Sequence, residues 1–456
     1  MLDLKDVVLM KPDNLTCPVM ISDKTIEQRK EKLLYKMREK NIDALIVYSD
    51  LEHGSNFEYL VGFLPRFEEA LLVLHCDGRA YLILGNENLN KASKARIECT
   101  AIHMPHFSLP NQPMETDLTI QQILEKSDIK KCGKIGVVGW KNFTSTEDNE
   151  HLFDLPYYLI DAIKELCNQS EIINSIDLFI GDSGVRTTNN ANEFAHYEFG
   201  ASLAGDGMMK AIESLEVGKR EIDIASNLEM YGQKRSVITI AATGERFEKA
   251  NIYPTNKCLK LGDKISLTVG YKGGLQSVAG YLVHNESELG EGTKEYIDVI
   301  AKPYFNAIKT WLENIKIGMA GSEIYECIEK ALPSKKYGWY LNPGHLCADE
   351  EWLSSPIYKN SKEIIKSGML FQLDIIPSIK GYGGISCESG VFLADEELRK
   401  QIKNEYPDLY ERVLARQKYM RDVQGIKISG EILPTSNLVA VCRPYLLNKN
   451  RIIVDR

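Results

Sequence analysis

Two carboxylates sit in the middle of otherwise apolar strand patterns late in this chain, and they restrict its folding more than any other feature. In GMLFQLDIIP (368–377), Met369, Phe371, Leu373 and Ile375 alternate with Leu370, Gln372, Asp374 and Ile376. In GGISCESGVFL (383–393), Ile385, Cys387, Ser389 and Val391 share one face, and Ser386, Glu388, Gly390 and Phe392 the other. A third stretch, KISLTVGY (264–271), alternates Ile265, Leu267 and Val269 with Ser266, Thr268 and Gly270. Burying an unpaired carboxylate costs several kcal/mol or forces it to take up a proton, so Asp374 and Glu388 need a partner or a task.

A fourth stretch, NPGHLCADEEW (342–352), puts one histidine and three acids into eleven residues of a chain that has only eight histidines. His345 reads as the inward residue, and Asp349, Glu350 and Glu351 read as a solvated charge run. Cys347 is two residues from His345, but a small core filler is the better account of it than a nucleophile. Cys387 should point away from Glu388, because neighbouring strand residues face opposite ways.

At 456 residues the chain fits two domains. Residues 1–176 read as an α/β domain: a helix at 25–40, the strand DALIVYS, a hairpin EALLVLHCDGRAYLILGN with Asp77-Gly78 at its turn, and the strand KIGVVGW. NFEYLVGFLPRF (56–67) reads as a buried strand with a polar loop. Residues 177–456 open with a helix capped by Asn190, with Glu193 three residues on. Phe194, Tyr197, Ala201, Ala204, Met208, Ala211 and Leu215 form its apolar face, which leaves His196 on the solvent side. The tail from Asp395 is expected to be a charged surface helix followed by a closing strand, NLVAVCRPYLL. GYGG at 381–384 joins two strands as a turn, with no helix after it to cradle a phosphate.

A formal charge of −9 argues against a nucleic-acid surface and favours a small-molecule or short-peptide ligand. No run approaches eighteen apolar residues, so no membrane partner is expected. The ten cysteines are scattered and the first residues lack an apolar leader core, which predicts a cytoplasmic protein.

The order of a capped helix, LKLGDKISLTVG, NPGH, SGMLFQLDIIP and GISCESGVFL resembles the creatinase and Xaa-Pro aminopeptidase family, whose C-terminal domain has the pita-bread fold. YLVGF ahead of the hairpin resembles that family's N-terminal domain. The resemblance implies an α/β N-terminal domain (1–176), an α+β pita-bread domain with a C-terminal extension (177–456), and a homodimer. Metal-dependent members hold two ions with two Asp, one His and two Glu. Matched here, the two aspartates fall at Thr268 and Ala279, the histidine at His345, and the glutamates at Asp374 and Glu388. Two further family histidines fall near Asn251 and at Trp352, and a creatinase glutamate falls near Leu282.

Thr and Ala at two of five positions speak against a two-metal centre. The expected function is a metal-free hydrolase of a small amide, amidine or peptide C–N bond, with His345, Asp374 and Glu388 catalytic and Thr268, Arg66 and Trp352 in contact with substrate. Phe63 and Phe67 join Arg66 as lid candidates, by analogy with loops that close the partner's site in relatives. Two alternatives stand beside it: a catalytically silent binding protein on the same fold, and a single divalent ion held by His345, Asp374 and Glu388.

Overall fold

The computed structural model describes residues 1–13, 16–145, 147–246 and 248–456. The chain divides into two compact units, Ile21–Arg186 and Met1–Met20 with Thr187–Arg456. The first strand, Leu2–Asp6, pairs antiparallel with the last, Arg451–Asp455, so the chain's opening residues belong to the second unit. This differs from the expected division at 176/177, which keeps those residues in the first domain.

The 21–186 unit is built on a six-stranded mixed sheet, ordered Thr100–His103, Ala80–Leu84, Ala70–His75, Ala44–Ser49, Lys134–Val138, Glu171–Asn174. The Asp77-Gly78 hairpin is present, with Ala70 opposite Leu84. Ser55–Val61 is a helix where a strand was expected. Gly62, in the left-handed conformation at φ +83°, ends it, and Phe57, Leu60 and Val61 are fully buried. A short apolar run does not distinguish a buried strand from a buried turn of helix, and here the cap residue decides.

The second unit carries two four-stranded antiparallel sheets. One is ordered Ser386–Glu388, Gly274–Tyr281, Lys264–Tyr271, Ile240–Thr243; the other His345–Leu346, Leu370–Gln372, Gly390–Leu393, Ile432–Pro434. GGISCESGVFL is therefore not one strand: it passes from the first sheet to the second at Ser389. The helix Ala191–Glu213 has the expected capping box, with Asn190 accepting from the Glu193 N–H and Glu193 accepting from Asn190. It is buried nearly all round rather than amphipathic. Gly200 lets it approach the Lys272 carbonyl so closely that a Cβ would sit 1.9 Å from that oxygen. His196 does not face free solvent; its Nδ1 donates to the Val19 carbonyl at 2.6 Å.

The tail also differs from expectation. Pro407 splits the charged helix into Glu396–Glu405 and Pro407–Tyr419. Residues 437–447 form turns and irregular backbone with one isolated bridge from Tyr445 to Tyr281, and the closing strand is Arg451–Asp455. Among the described residues, no helix is long and apolar enough to cross a membrane.

Candidate active site

The two sheets bring three sequence-distant groups to one place. His345 is the Cα partner of Gln372, two residues before Asp374, and Glu388 is the last residue of its strand before the chain changes sheets. Gly344, at φ +121°, delivers His345, and its carbonyl accepts from the Ser355 hydroxyl at 2.8 Å. Any side chain there would crowd the Gln372 carbonyl and Trp311 Nε1, each 3.2 Å from a Cβ. Trp311 Nε1 donates to the Pro343 carbonyl at 2.8 Å and fixes the loop. One ligand atom from each of His345, Asp374 and Glu388 lies within 4.8 Å of the others, and all three residues are buried.

The imidazole is held on both sides. Its Nδ1 faces the Leu346 carbonyl at 3.2 Å. A carbonyl only accepts, so Nδ1 carries a proton, and Nε2 is the nitrogen free to act as base, acid or ligand. Nε2 lies 3.0 Å from Glu351 Oε1 and 4.0 Å from Asp374 Oδ2, without hydrogen-bond alignment to either. The Trp352 ring stacks on the imidazole at 4.1 Å.

Glu351 and Trp352 arrive there because 346–354 folds back on itself: Leu346 N–H donates to Ser354 and Leu353 N–H to Leu346. This corrects the solvated charge run. Glu351 is a site residue, and Asp349 is tied to Lys272 at 3.1 Å and to the Tyr197 hydroxyl at 3.3 Å. Trp352, expected against substrate, packs on His345 while remaining 41% exposed.

Burial and the neighbouring charges together shift His345, Asp374 and Glu388. Burial raises the Asp374 carboxyl to about 6; the His345 charge opposes this and Glu351 adds to it. Burial, then Asp374 and Glu351, pushes Glu388 well up. Burial pulls His345 down, but Glu351 and Asp374 outweigh it and leave the imidazole raised. Among the described residues, Asp374 Oδ1 has no hydrogen-bond partner. The group therefore keeps protons, with an imidazole that favours its cation beside carboxyls that favour neutrality.

Thr268 is the Cα partner of Ser277, which is itself the partner of Glu388. The residue facing Thr268 across the hairpin is thus Ser277, and Ala279 lies two positions further, opposite Ser266 and Ser386. Counting eleven residues on from Thr268 reaches Ala279 rather than the facing Ser277, because it presumes a turn longer than Lys272-Gly273. Arg66 lies in the 21–186 unit, exposed, its guanidinium 4.6 Å from the Phe67 ring.

Comparison with known proteins agrees with this architecture. Residues 196–418 match Metallopeptidase family M24, and residues 29–174 match the Creatinase/Prolidase N-terminal domain. An Xaa-Pro dipeptidase of Pyrococcus furiosus is 25% identical over 395 residues, spanning 83% of this chain and 99% of its own. The Pyrococcus horikoshii Xaa-Pro dipeptidase is 24% identical, with 83% and 98% covered. Among solved structures, an Xaa-Pro dipeptidase from Bacillus anthracis superposes with TM-score 0.61 at 19% identity, covering 82% of this chain and 96% of that one. A prolidase from Thermococcus sibiricus does so with TM-score 0.63 at 17% identity, covering 81% and 95%. The chain belongs to the M24 family of creatinase and Xaa-Pro aminopeptidase type, with a creatinase-type N-terminal domain followed by a pita-bread domain.

Proposed function

We propose that this chain hydrolyses the C–N bond of a short peptide or small amide or amidine through its imidazole–carboxylate cluster, without a two-metal centre. The observation that carries this is the meeting of His345, Asp374 and Glu388 within 4.8 Å, with the His345 tautomer set by the Leu346 carbonyl. The dipeptidases at 24–25% identity support a peptide as the substrate class.

The metal pair implied by the family does not fit these residues. Two ions need bridging carboxylates. Thr268 and Ser277 instead offer neutral hydroxyls that satisfy one another at 3.0 Å. In the proposed reaction, the ionised member of the Asp374–Glu388 pair takes a proton from water, and the water oxygen attacks the scissile carbon. As the C–N bond breaks, the His345 imidazolium gives its Nε2 proton to the leaving nitrogen. Trp352 and Glu351 hold the imidazole in place and charged.

A second reading is favoured by Asp374 Oδ1 and His345 Nε2, neither of which makes an aligned hydrogen bond among the described residues. His345, Asp374 and Glu388 make a histidine-plus-two-carboxylate set able to hold one divalent ion, which would supply Lewis-acid polarisation of the carbonyl. A homodimer and a lid role for Arg66, Phe63 and Phe67 also belong to the proposal, on the family resemblance alone, and a cytoplasmic location belongs to it on the scattered cysteines.

The test is elemental analysis of protein purified without chelator and re-offered Mn, Co, Zn and Fe, alongside turnover of Xaa-Pro dipeptides and small amides before and after chelation. Turnover that survives chelation and falls at least about 100-fold in Glu388→Gln is the expected result. Near-stoichiometric metal that His345→Ala abolishes, with activity lost on chelation, moves the protein to the single-ion reading. Substrate binding without turnover, retained in Glu388→Gln, leaves a silent binder.

A further inference from the structure

A cavity of about 680 Å³ lies in the second unit, well within the size of small-molecule sites. The extended segment Val7–Pro12 forms one wall, and Met209, Lys210, Asn227 and Arg443 are among the residues lining the rest. The segment is fixed at both ends. Val7 N–H donates to the Asn450 carbonyl at 3.0 Å, and Asp13 pairs with Arg412 at 2.8 Å.

Arg443 makes this more than a gap in packing. It is only 5% exposed, and among the described residues its Nε has no hydrogen-bond partner and its guanidinium no ion pair. Arg416, equally buried in the same unit, shows the satisfied state: it bonds Glu198 at 2.7 Å, Asn437 at 2.9 Å and the Pro434 carbonyl at 3.1 Å. Glu213 and Tyr419 lie near enough to favour the Arg443 charge, but burial outweighs them and pulls the group down to about 10. The Glu213 side chain is 76% exposed and paired with Lys449. The buried Tyr419 hydroxyl is also without a hydrogen-bond partner among the described residues. Lys210 adds a second cation, whose ammonium donates to the Met230 sulfur at 3.7 Å. Burying a cation without a counter-charge is unfavourable, so the chain carries a charge that a ligand would compensate.

We propose that this cavity binds a small organic carboxylate with an apolar body. The carboxylate takes the Arg443 guanidinium, with Lys210 beside it, and the body lies along Val7, Leu9, Met10 and Met209. This site is separate from the His345 cluster and independent of the hydrolytic reading.

The probe is decanoate, with decanol and inorganic phosphate as controls that keep only the apolar body or only the charge. Calorimetry should give one decanoate per chain, and the melting temperature should rise by several degrees with decanoate and by far less with either control. Arg443→Met should abolish the decanoate shift while melting at or above the wild-type temperature, since it removes an unpaired charge. Should Arg443→Met fail to fold, Met209→Glu, which places a carboxylate at the cavity wall, should block decanoate instead. Glu388→Gln must leave decanoate binding unchanged. Equal shifts with decanoate and decanol, a decanoate shift retained in folded Arg443→Met or in Met209→Glu, dissociation of an oligomer by decanoate, or no binding at all would each overturn the proposal.

Discussion

Thr268 and Ser277 stand directly opposite one another in the hairpin of Lys264–Tyr271 and Gly274–Tyr281, hydroxyl bonded to hydroxyl at 3.0 Å. Ser277 is in turn opposite Glu388, so a single row crosses three strands toward the His345 cluster. Converting both hydroxyl residues to aspartate places two more carboxylates in that row. The double variant Thr268→Asp, Ser277→Asp should take up more divalent metal than the parent, approaching two ions per chain by plasma mass spectrometry. Stripped of metal it should melt well below the parent, because like charges then crowd without a counter-ion. Unchanged metal content would show that the hairpin row is not the position of a second ion.

Asp374 gives a pH test in chelator-treated protein. Its folded value of about 6 lies above the ordinary 3.8, so folding favours its neutral form. For such a group the penalty is absent below about pH 4 and complete above about pH 6, so stability from this residue falls as pH rises. The rise corresponds to roughly 3 kcal/mol at most. Asp374→Asn should therefore match the parent near pH 4 and exceed it by up to about that much near pH 7.5 in urea unfolding, with turnover lost. A variant less stable than the parent at both pH values would refute the charge account.

These two sites differ in how far the sequence exposes them. The Asn190–Glu193 capping box and the Asp77-Gly78 hairpin were readable because each signal is local, a side chain reaching three residues along or a turn of fixed geometry. His345, Asp374 and Glu388 could be named because a carboxylate in an apolar strand is anomalous wherever the strand lies. Ser277 could not, because which residue faces Thr268 is set by hairpin register, and a turn two residues shorter moves the facing position from Ala279 to Ser277. Glu351 was hidden for a related reason: the DEE run looks solvated until 346–354 doubles back and lays Glu351 and Trp352 against the imidazole.

Glu351 should govern how long His345 keeps its proton. It is the foremost group raising the imidazole against the downward pull of burial. Removing its charge in Glu351→Gln lowers the His345 pKa, so the imidazolium is lost at a lower pH. In chelator-treated enzyme the alkaline limb of the kcat/KM profile should move to lower pH, and the His345 ring resonance should titrate earlier by NMR. An unmoved limb with a normally folded variant would remove Glu351 from the site.

The ion cluster behind the long helix is the strongest single candidate for stability outside the site. Arg416 and Glu198 are each 1% exposed at the side chain and meet at 2.7 Å; Arg412 adds a contact to Glu198 at 2.8 Å and to Asp13 at 2.8 Å. The cluster links helix Ala191–Glu213, helix Pro407–Tyr419 and the opening segment of the chain. Replacing Glu198 leaves Arg412 and the fully buried Arg416 sharing the one carboxylate of Asp13, a buried charge imbalance that costs about 3–5 kcal/mol, far more than an exposed pair. Glu198→Gln should lower unfolding free energy by that amount in urea. The more conservative exposed change Glu396→Gln, which breaks only the surface pair with Lys400, should cost less than about 1 kcal/mol. Equal losses for the two would mean that the buried cluster is screened by water, and that the first strand is held to this unit by its pairing with Arg451–Asp455 rather than by charge.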